Sequence, residues 1–317
     1  MGTFFLKKGS HINNMTYLKS FRLPTRRQED AFFDSKYAVL TGEKYGGGRD
    51  RWMAEAGIYP FRLFYDKDMP TFSFEPVTIL YGGNGSGKTT VLNLIADRLN
   101  VDRTSPYNRS DFFGDYVDLC EHEGNIIPKG SRIITSDDVF NYLLDIRCLN
   151  DGVVNRRHDL FDEYVEEKAR SNRGEVFYMR TLADYEGLKK RVEIQHTTSA
   201  EYARRRTPSE LRERSNGESA YRYFTEAVTE NALYLLDEPE NSLSPSLQLE
   251  LVQFLTESAR FFGCQLIIAT HSPFLLSMKG AKVYDLDDAA PSVKHWTELK
   301  NVRAYQQFFK EHENEFR

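Results

Sequence analysis

The run GGNGSGKT, Gly82 to Thr89, has the form G-x-x-x-x-G-K-[ST]. Glycines at such positions let backbone N–H groups turn inward around phosphate oxygens, and the start of a following helix adds a positive field. Gly82, Gly83, Asn84, Gly85, Ser86, Gly87, Lys88, Thr89 and Thr90 are the candidate phosphate-contacting residues. Within that set Lys88 is suited to the β- and γ-phosphates, and the Thr89 hydroxyl to Mg²⁺. Two adjacent carboxylates, Asp237 and Glu238, follow the apolar run of ALYLLDEPE. Neighbouring carboxylates repel unless a cation is near, which suits a magnesium-bound phosphate. Asp237 is expected on the metal side, with Glu238 orienting and deprotonating an attacking water. His271, in IIATHSP, is placed to contact a γ-phosphate and that water.

These groups cooperate only if the chain brings them to one edge. PVTILY reads as a short apolar strand ending in glycines. The following TTVLNLIADRL spaces Leu92, Ile95, Ala96 and Leu99 as one helix face. ALYLL and QLIIAT are further apolar strands. Between them Ser244 fits an N-cap and Pro245 the first helical position of a helix that runs to Phe262 and stops at Gly263. Apolar strands alternating with helices predict an α/β fold whose sheet is mainly parallel and covered on both faces. Ahead of it, from Met15 to about Tyr81, TYLKSFRL and YPFRLFY read as strands and TGEKYGGGRD as a loop, a smaller β part beside the parallel sheet. From 101 to 214 the periodicity weakens. DVFNYLLDIRCL is helical and 156–214 is rich in alternating charges, so this region is expected as an inserted helical arm or lid. The expected organisation is a flexible leader at 1–14 and one domain over 15–317 that carries the arm.

SNGES, Ser215 to Ser219, interrupts a charged run just before a helix whose apolar face holds Ala220, Tyr223, Phe224, Ala227 and Val228. Alone, it is explained by a Ser or Asn N-cap. In order along the chain, however, the phosphate loop at 82–89, SNGES at 215–219, the strand and carboxylates at 232–238 and the histidine at 271 resemble the ABC-type ATPases. That resemblance implies a P-loop NTPase fold of ABC type with an antiparallel β part. It also implies ATP and Mg²⁺ as cofactors, and hydrolysis to ADP and phosphate. It further implies a homodimer or higher oligomer with ATP between copies, in which Ser215, Asn216, Gly217 and Glu218 of one copy close over ATP held by the other.

Glu218 and Ser219 depart from the continuation found in transporter subunits, and DEPENSLSP has Ser244 where those subunits carry an aspartate. With SNGES and IIATHSPFLL, the wording is similar to stand-alone bacterial ATPases related to SMC and DNA-repair heads. The resemblance covers most of 15–100 and 215–290 and little of 101–214. A glutamine loop has no clear counterpart; Ser136 and Asp137 in RIITSDDVF are its candidates. Related ATPases accompany an effector nuclease in Septu or retron-type anti-phage systems, which implies a regulatory or sensor role beside such an effector. A transporter nucleotide-binding subunit and a DNA-repair-type ATPase acting on nucleic acid stay open as alternatives, and a non-hydrolysing scaffold is opposed by Glu238.

The bulk composition adds exclusions. A net charge of −5 gives no overall attraction to nucleic acid or to an anionic membrane, so any such contact needs a local patch. No apolar run approaches the ~20 residues of a membrane-spanning helix, and no membrane partner is expected. Cys120, Cys148 and Cys264 show no metal-ligand or disulfide spacing, which fits a reducing cytoplasm. In the arm, Lys189, Lys190, Arg191, Arg204, Arg205 and Arg206 are candidate phosphate contacts. Glu193, Glu201, Glu210 and Glu213 dilute them, and a solvated charged face is the favoured reading. YDLDD, Tyr284 to Asp288, reads as an acidic turn, and no nuclease constellation is visible.

Overall fold

The computed structural model describes residues 16–41, 57–173, 185–207 and 215–316. The leader expected at 1–14 lies outside them, as does nearly all of TGEKYGGGRD. The chain divides into two compact units, one of Met1–Val139 with Asn216–Arg317, the other Phe140–Ser215.

The first unit begins with strand β1 (Leu18–Arg22) and helix α1 (Arg26–Thr41). Mainly strands and loops are expected here, and this helix is not among the expected elements. The helix is started by a capping box: Thr25 N–H donates to Gln28 Oε1 at 2.8 Å, and Gln28 N–H to Thr25 Oγ1 at 3.4 Å. YPFRLFY, expected as a strand, is a series of turns. Pro60 has no N–H to give a ladder, and Arg62 takes a left-handed φ of 66°. Its Phe61 and Phe64 are still buried in the main core.

Strands β2 (Phe72–Ser73) and β4 (Glu121–Gly124) flank β1 in an antiparallel sheet of order β2-β1-β4. The second sheet is built on β3 (Val77–Tyr81), every residue of which is buried, including Thr78, whose hydroxyl accepts from Glu75 N–H. Helix α2 (Lys88–Leu99) follows β3 and lays Val91, Leu92, Leu94 and Ile95 into the core. Each such side chain contributes about 1.5–3 kcal/mol by leaving water. After the short helix α3 (Phe113–Leu119) and β4, strand β5 (Arg132–Ile134) leads into the long helix α4 (Ser136–Asn172).

Past the second unit come α7 (Asn216–Ala227), β6 (Leu233–Asp237), α8 (Pro245–Phe261), β7 (Gln265–Thr270), α9 (Pro273–Leu276), β8 (Lys282–Asp285), β9 (Ser292–Val293) and α10 (Lys300–Glu311). Ser244 caps α8 with Pro245 at its first position, as expected. The six-stranded sheet has the order β5-β6-β7-β3-β8-β9, all parallel except β9. The two sheets are joined at Gln265: Tyr17 N–H and Leu18 N–H donate to Oε1 at 2.8 and 2.9 Å, and Nε2 donates to Leu18 O at 2.8 Å. Gln265 is fully buried, and these bonds satisfy its amide.

Register aligns the carboxyl ends of the strands. Tyr81 pairs with Thr270 and Asp285, and Asp237 with Ala269. The phosphate loop, Asp237–Glu238 and His271 therefore all leave the sheet on one edge, where ligands of open α/β sheets bind.

In the second unit, α5 (Tyr185–His196) and α6 (Ser199–Arg206) join the continuation of α4. Leu160, Tyr164, Ile194, Tyr202 and Ala203 form its own small core. The arm was expected from residue 101. Residues 101–139 belong instead to the first unit, because β5 pairs with β6 in the main sheet. Among the described arm side chains three of the candidate basic groups meet glutamates: Arg206 with Glu193 at 2.7 Å, Arg205 with Glu201 at 2.6 Å, and Lys190 with Glu163. These pairs agree with a solvated charged face. The Arg191 and Arg204 side chains lie outside the described set.

Candidate active site

Between β3 and α2 the chain folds into a cradle. Gly87 precedes the helix at φ 101°, and a Cβ there would overlap the Phe64 ring, so only glycine fits. The cradle borders a cavity of about 330 Å³ lined by Asn84, Gly85, Lys88, Thr89, Thr90 and Glu238, with Tyr59 and Leu63 on its side. The Lys88 ammonium, almost wholly buried, donates to Gly82 O at 2.8 Å and Gly83 O at 3.1 Å. Ser86 Oγ is buried and carries no hydrogen bond. An oxyanion seated in the loop would supply the acceptor that this hydroxyl lacks.

Opposite the cradle, β6 delivers its two carboxylates. Thr89 Oγ1 donates to Asp237 Oδ1 at 3.1 Å, and Lys88 Nζ lies 3.8 Å from Glu238 Oε1. Burial lifts Asp237 from 3.8 to about 6. The Thr89 hydroxyl and Lys88 oppose that rise, while Glu238 and Glu240 add to it. A buried carboxylate held this high, next to a hydroxyl, is a donor pair that a hard divalent cation would stabilise. Asp237 and Thr89 therefore fit Mg²⁺, which when bound beside the phosphates would neutralise charge there.

Glu238 adopts a left-handed φ of 48°, and its N–H donates to Ala269 O at 2.9 Å. A non-glycine residue in that region carries strain of about 1–3 kcal/mol, a cost that concentrates at functional sites. The turn aims the side chain at Lys88 on one side and at His271 on the other, with His271 Nδ1 at 3.8 Å.

Glu240, two positions on, is a functional residue that sequence reasoning missed. Its carboxylate is buried, and Oε1 accepts from Thr270 Oγ1 at 2.6 Å, His271 N–H at 3.0 Å and Ser272 N–H at 3.2 Å. It fixes the backbone that presents His271. Asp287, from YDLDD, was also missed: Gly83 N–H donates to its Oδ1 at 2.8 Å. Asp285 and Asp288 both accept from Lys294, at 2.8 and 2.5 Å, so one ammonium bridges two of the turn's three carboxylates. The signal for Glu240 was present as a second carboxylate in DEPE; nothing local marks Asp287.

Of the remaining candidates, Gly217, the second residue of α7, lies close against the loop after β6. A Cβ on it would meet Leu247 Cδ1 at 2.9 Å and Ser242 O at 3.3 Å. Asn216 and Glu218 flank it in the first turn. Ser215 is the last residue of the second unit. Ser136 and Asp137 open α4 at the carboxyl end of β5, beside the strand that carries Asp237.

The phosphate cradle, the strand order and the added antiparallel layer define an α/β P-loop fold of the ABC type. A family model described as "AAA domain, putative AbiEii toxin, Type IV TA system" matches residues 131–277, under half of the chain. The molybdenum import ATP-binding protein ModC of Paramagnetospirillum magneticum is 27% identical over 198 residues, 62% of this chain. The matched stretch covers 46% of ModC's length. Among solved structures, the dimeric bacterial ABC transporter cassette MJ0796 is 15% identical over 71% of this chain and 88% of its own, with a TM-score of 0.36. The Pyrococcus furiosus Smc head domain bound to the C-terminal domain of ScpA is 13% identical over 76% and 94%, also at 0.36. Among the described residues no helix is long and apolar enough to cross a membrane.

Proposed function

We propose that the chain binds ATP with Mg²⁺ and hydrolyses it to ADP and phosphate, working as a nucleotide-gated dimer. The observation that carries this reading is the chain of contacts Thr89–Asp237, Lys88–Glu238 and Glu238–His271, each within 3.8 Å, at the mouth of the phosphate loop. Lys88 and the loop amides hold the phosphates, while Thr89 and Asp237 hold Mg²⁺. Glu238 accepts a proton from the attacking water as the water oxygen bonds to the γ-phosphorus and the bond to ADP breaks. His271, held by Glu240, borders the same water position. The two-chain character rests on the likeness of SNGES to the ABC signature: Ser215, Asn216, Gly217 and Glu218 reach the γ-phosphate of a second copy, so ATP stabilises the paired state.

The dimer in turn gates a partner protein, with an effector nuclease of an anti-phage system as the reading we favour. The support is the wording of DEPENSLSP and IIATHSPFLL and the toxin–antitoxin description of the matching family. A transporter nucleotide-binding subunit is a second reading, favoured by the 27% identity to ModC. Affinity purification from native cells separates the two: a soluble effector bound to the chain supports the first, and membrane-embedded subunits the second. ATP hydrolysis itself is tested by phosphate release from the intact protein and from Glu238→Gln.

A further inference from the structure

A second cavity, of about 650 Å³, adjoins the histidine loop and is larger than the one at the phosphates. Its walls are aromatic: Phe274 of α9, Trp296, and Tyr305 and Phe309 of α10. Both Tyr305 and Phe309 are about half exposed. At its polar end lie Glu240, His271, Ser272 and Gln248, the last two joined by a 2.7 Å hydrogen bond from the Ser272 hydroxyl to Gln248 Oε1.

Glu240 divides its two oxygens between different tasks. Oε1 is saturated by the Thr270 hydroxyl and the His271 and Ser272 amides. Oε2 is buried and has no hydrogen-bond partner, in a residue only 6% exposed. A buried carboxylate oxygen without a donor is costly; Glu240 lines the cavity, and a small turn of its carboxylate would bring Oε2 to a donor seated there. The volume falls within the range of small-molecule sites, and apolar walls with a few fixed polar groups are the usual composition of such sites. A carboxylate at the polar end disfavours phosphates and other anions.

We propose that this cavity binds a small aromatic amine: a ring against Trp296, Tyr305 and Phe309, and an ammonium donating to Glu240 Oε2. The same carboxylate holds the His271 backbone, so occupancy tightens the loop and alters ATP turnover. That coupling rests on the proposed hydrolysis; the binding does not.

The test uses the full chain and phenethylamine as probe. 3-Phenylpropionate, with ring and anion, and butylamine, with cation and no ring, are the comparison probes. Trp52→Phe leaves Trp296 as the only indole of the two in the chain, and its fluorescence reports occupancy. Calorimetry gives the stoichiometry without nucleotide. Saturable binding of one phenethylamine per chain is expected, at least about tenfold tighter than either comparison probe. Glu240→Gln, which keeps an acceptor on the loop while removing the anionic oxygen, should weaken it about tenfold or more. Thr297→Phe, which fills the cavity from a residue outside the catalytic set, should abolish it. Binding should survive Lys88→Ala, so its failure is distinguishable from failure of the ATPase reading. Phenethylamine should also change kcat for ATP in the intact protein and not in Thr297→Phe. Absence of saturable binding, equal binding of all three probes, or binding that persists in Thr297→Phe would overturn the site. Saturable binding with unchanged turnover would overturn the coupling to His271.

Discussion

Thr89 and Asp237 stand 148 positions apart in the chain, yet the hydroxyl of one donates to the carboxylate of the other at 3.1 Å. The contact joins the first turn of α2 to the end of β6, and it pairs two oxygen ligands at the proposed Mg²⁺ site. Asp237 is there at an energetic disadvantage, because burial disfavours its charged form.

That disadvantage has a definite pH signature. With its value raised from 3.8 to about 6, Asp237 keeps a proton in the folded chain that the unfolded chain releases. The associated stability is complete below 3.8 and is lost as pH rises through about 6, amounting to ~3 kcal/mol. Nucleotide-free Asp237→Asn should therefore melt higher than the parent at pH 8, with a smaller difference at pH 5, and Mg²⁺–ATP should stabilise it less. Thermal melts across that range, with and without Mg²⁺–ATP, check the prediction.

Lys88→Ala removes the ammonium that bridges Gly82 O, Gly83 O and the Glu238 carboxylate. Charge-assisted hydrogen bonds contribute about 1.5–3 kcal/mol, so ATP affinity should fall at least tenfold, measured by equilibrium binding of a fluorescent ATP analogue.

Glu240→Ala strips one acceptor from three donors on the His271 loop. A stability loss of about 1–3 kcal/mol and a fall in kcat are expected, with little change in the KM for ATP. Glu240→Gln retains an oxygen for those donors and should lose less of both. Steady-state kinetics beside melting curves separate the effect on positioning from the effect on folding.

Gly217→Asp tests the shared site. The nearest obstacle to its side chain is the end of the flexible Leu247, and a carboxylate in the first turn suits the helix dipole, so the variant should fold. Alone it should bind ATP and not hydrolyse it. Mixed with Lys88→Ala, it should recover turnover, because one pocket of each heterodimer has an intact loop and an intact signature. No recovery would contradict a signature acting across chains.

Much of this site was legible in the sequence because its signals are local. The phosphate loop, the apolar strands ending in Asp237 and Thr270, and the Ser244–Pro245 helix start each depend on neighbours within a few residues. The start of α1 was equally local, as Thr25-x-x-Gln28, and was overlooked beside the aromatic residues that follow it. Other features are tertiary. Asp287 reaches Gly83 only because β8 lies beside β3, and nothing near it in the chain announces that contact. Residues 101–139 look irregular because their two strands, β4 and β5, are short and lie at sheet edges, held by pairing with β1 and β6.

Phosphate release measured in parallel with ATP affinity, for the intact protein and Glu238→Gln, tests the central claim most directly. The account predicts turnover reduced ~100-fold or more with ATP binding retained, since a general base contributes that much and the phosphate contacts are untouched. Turnover at the parent rate in Glu238→Gln would contradict it.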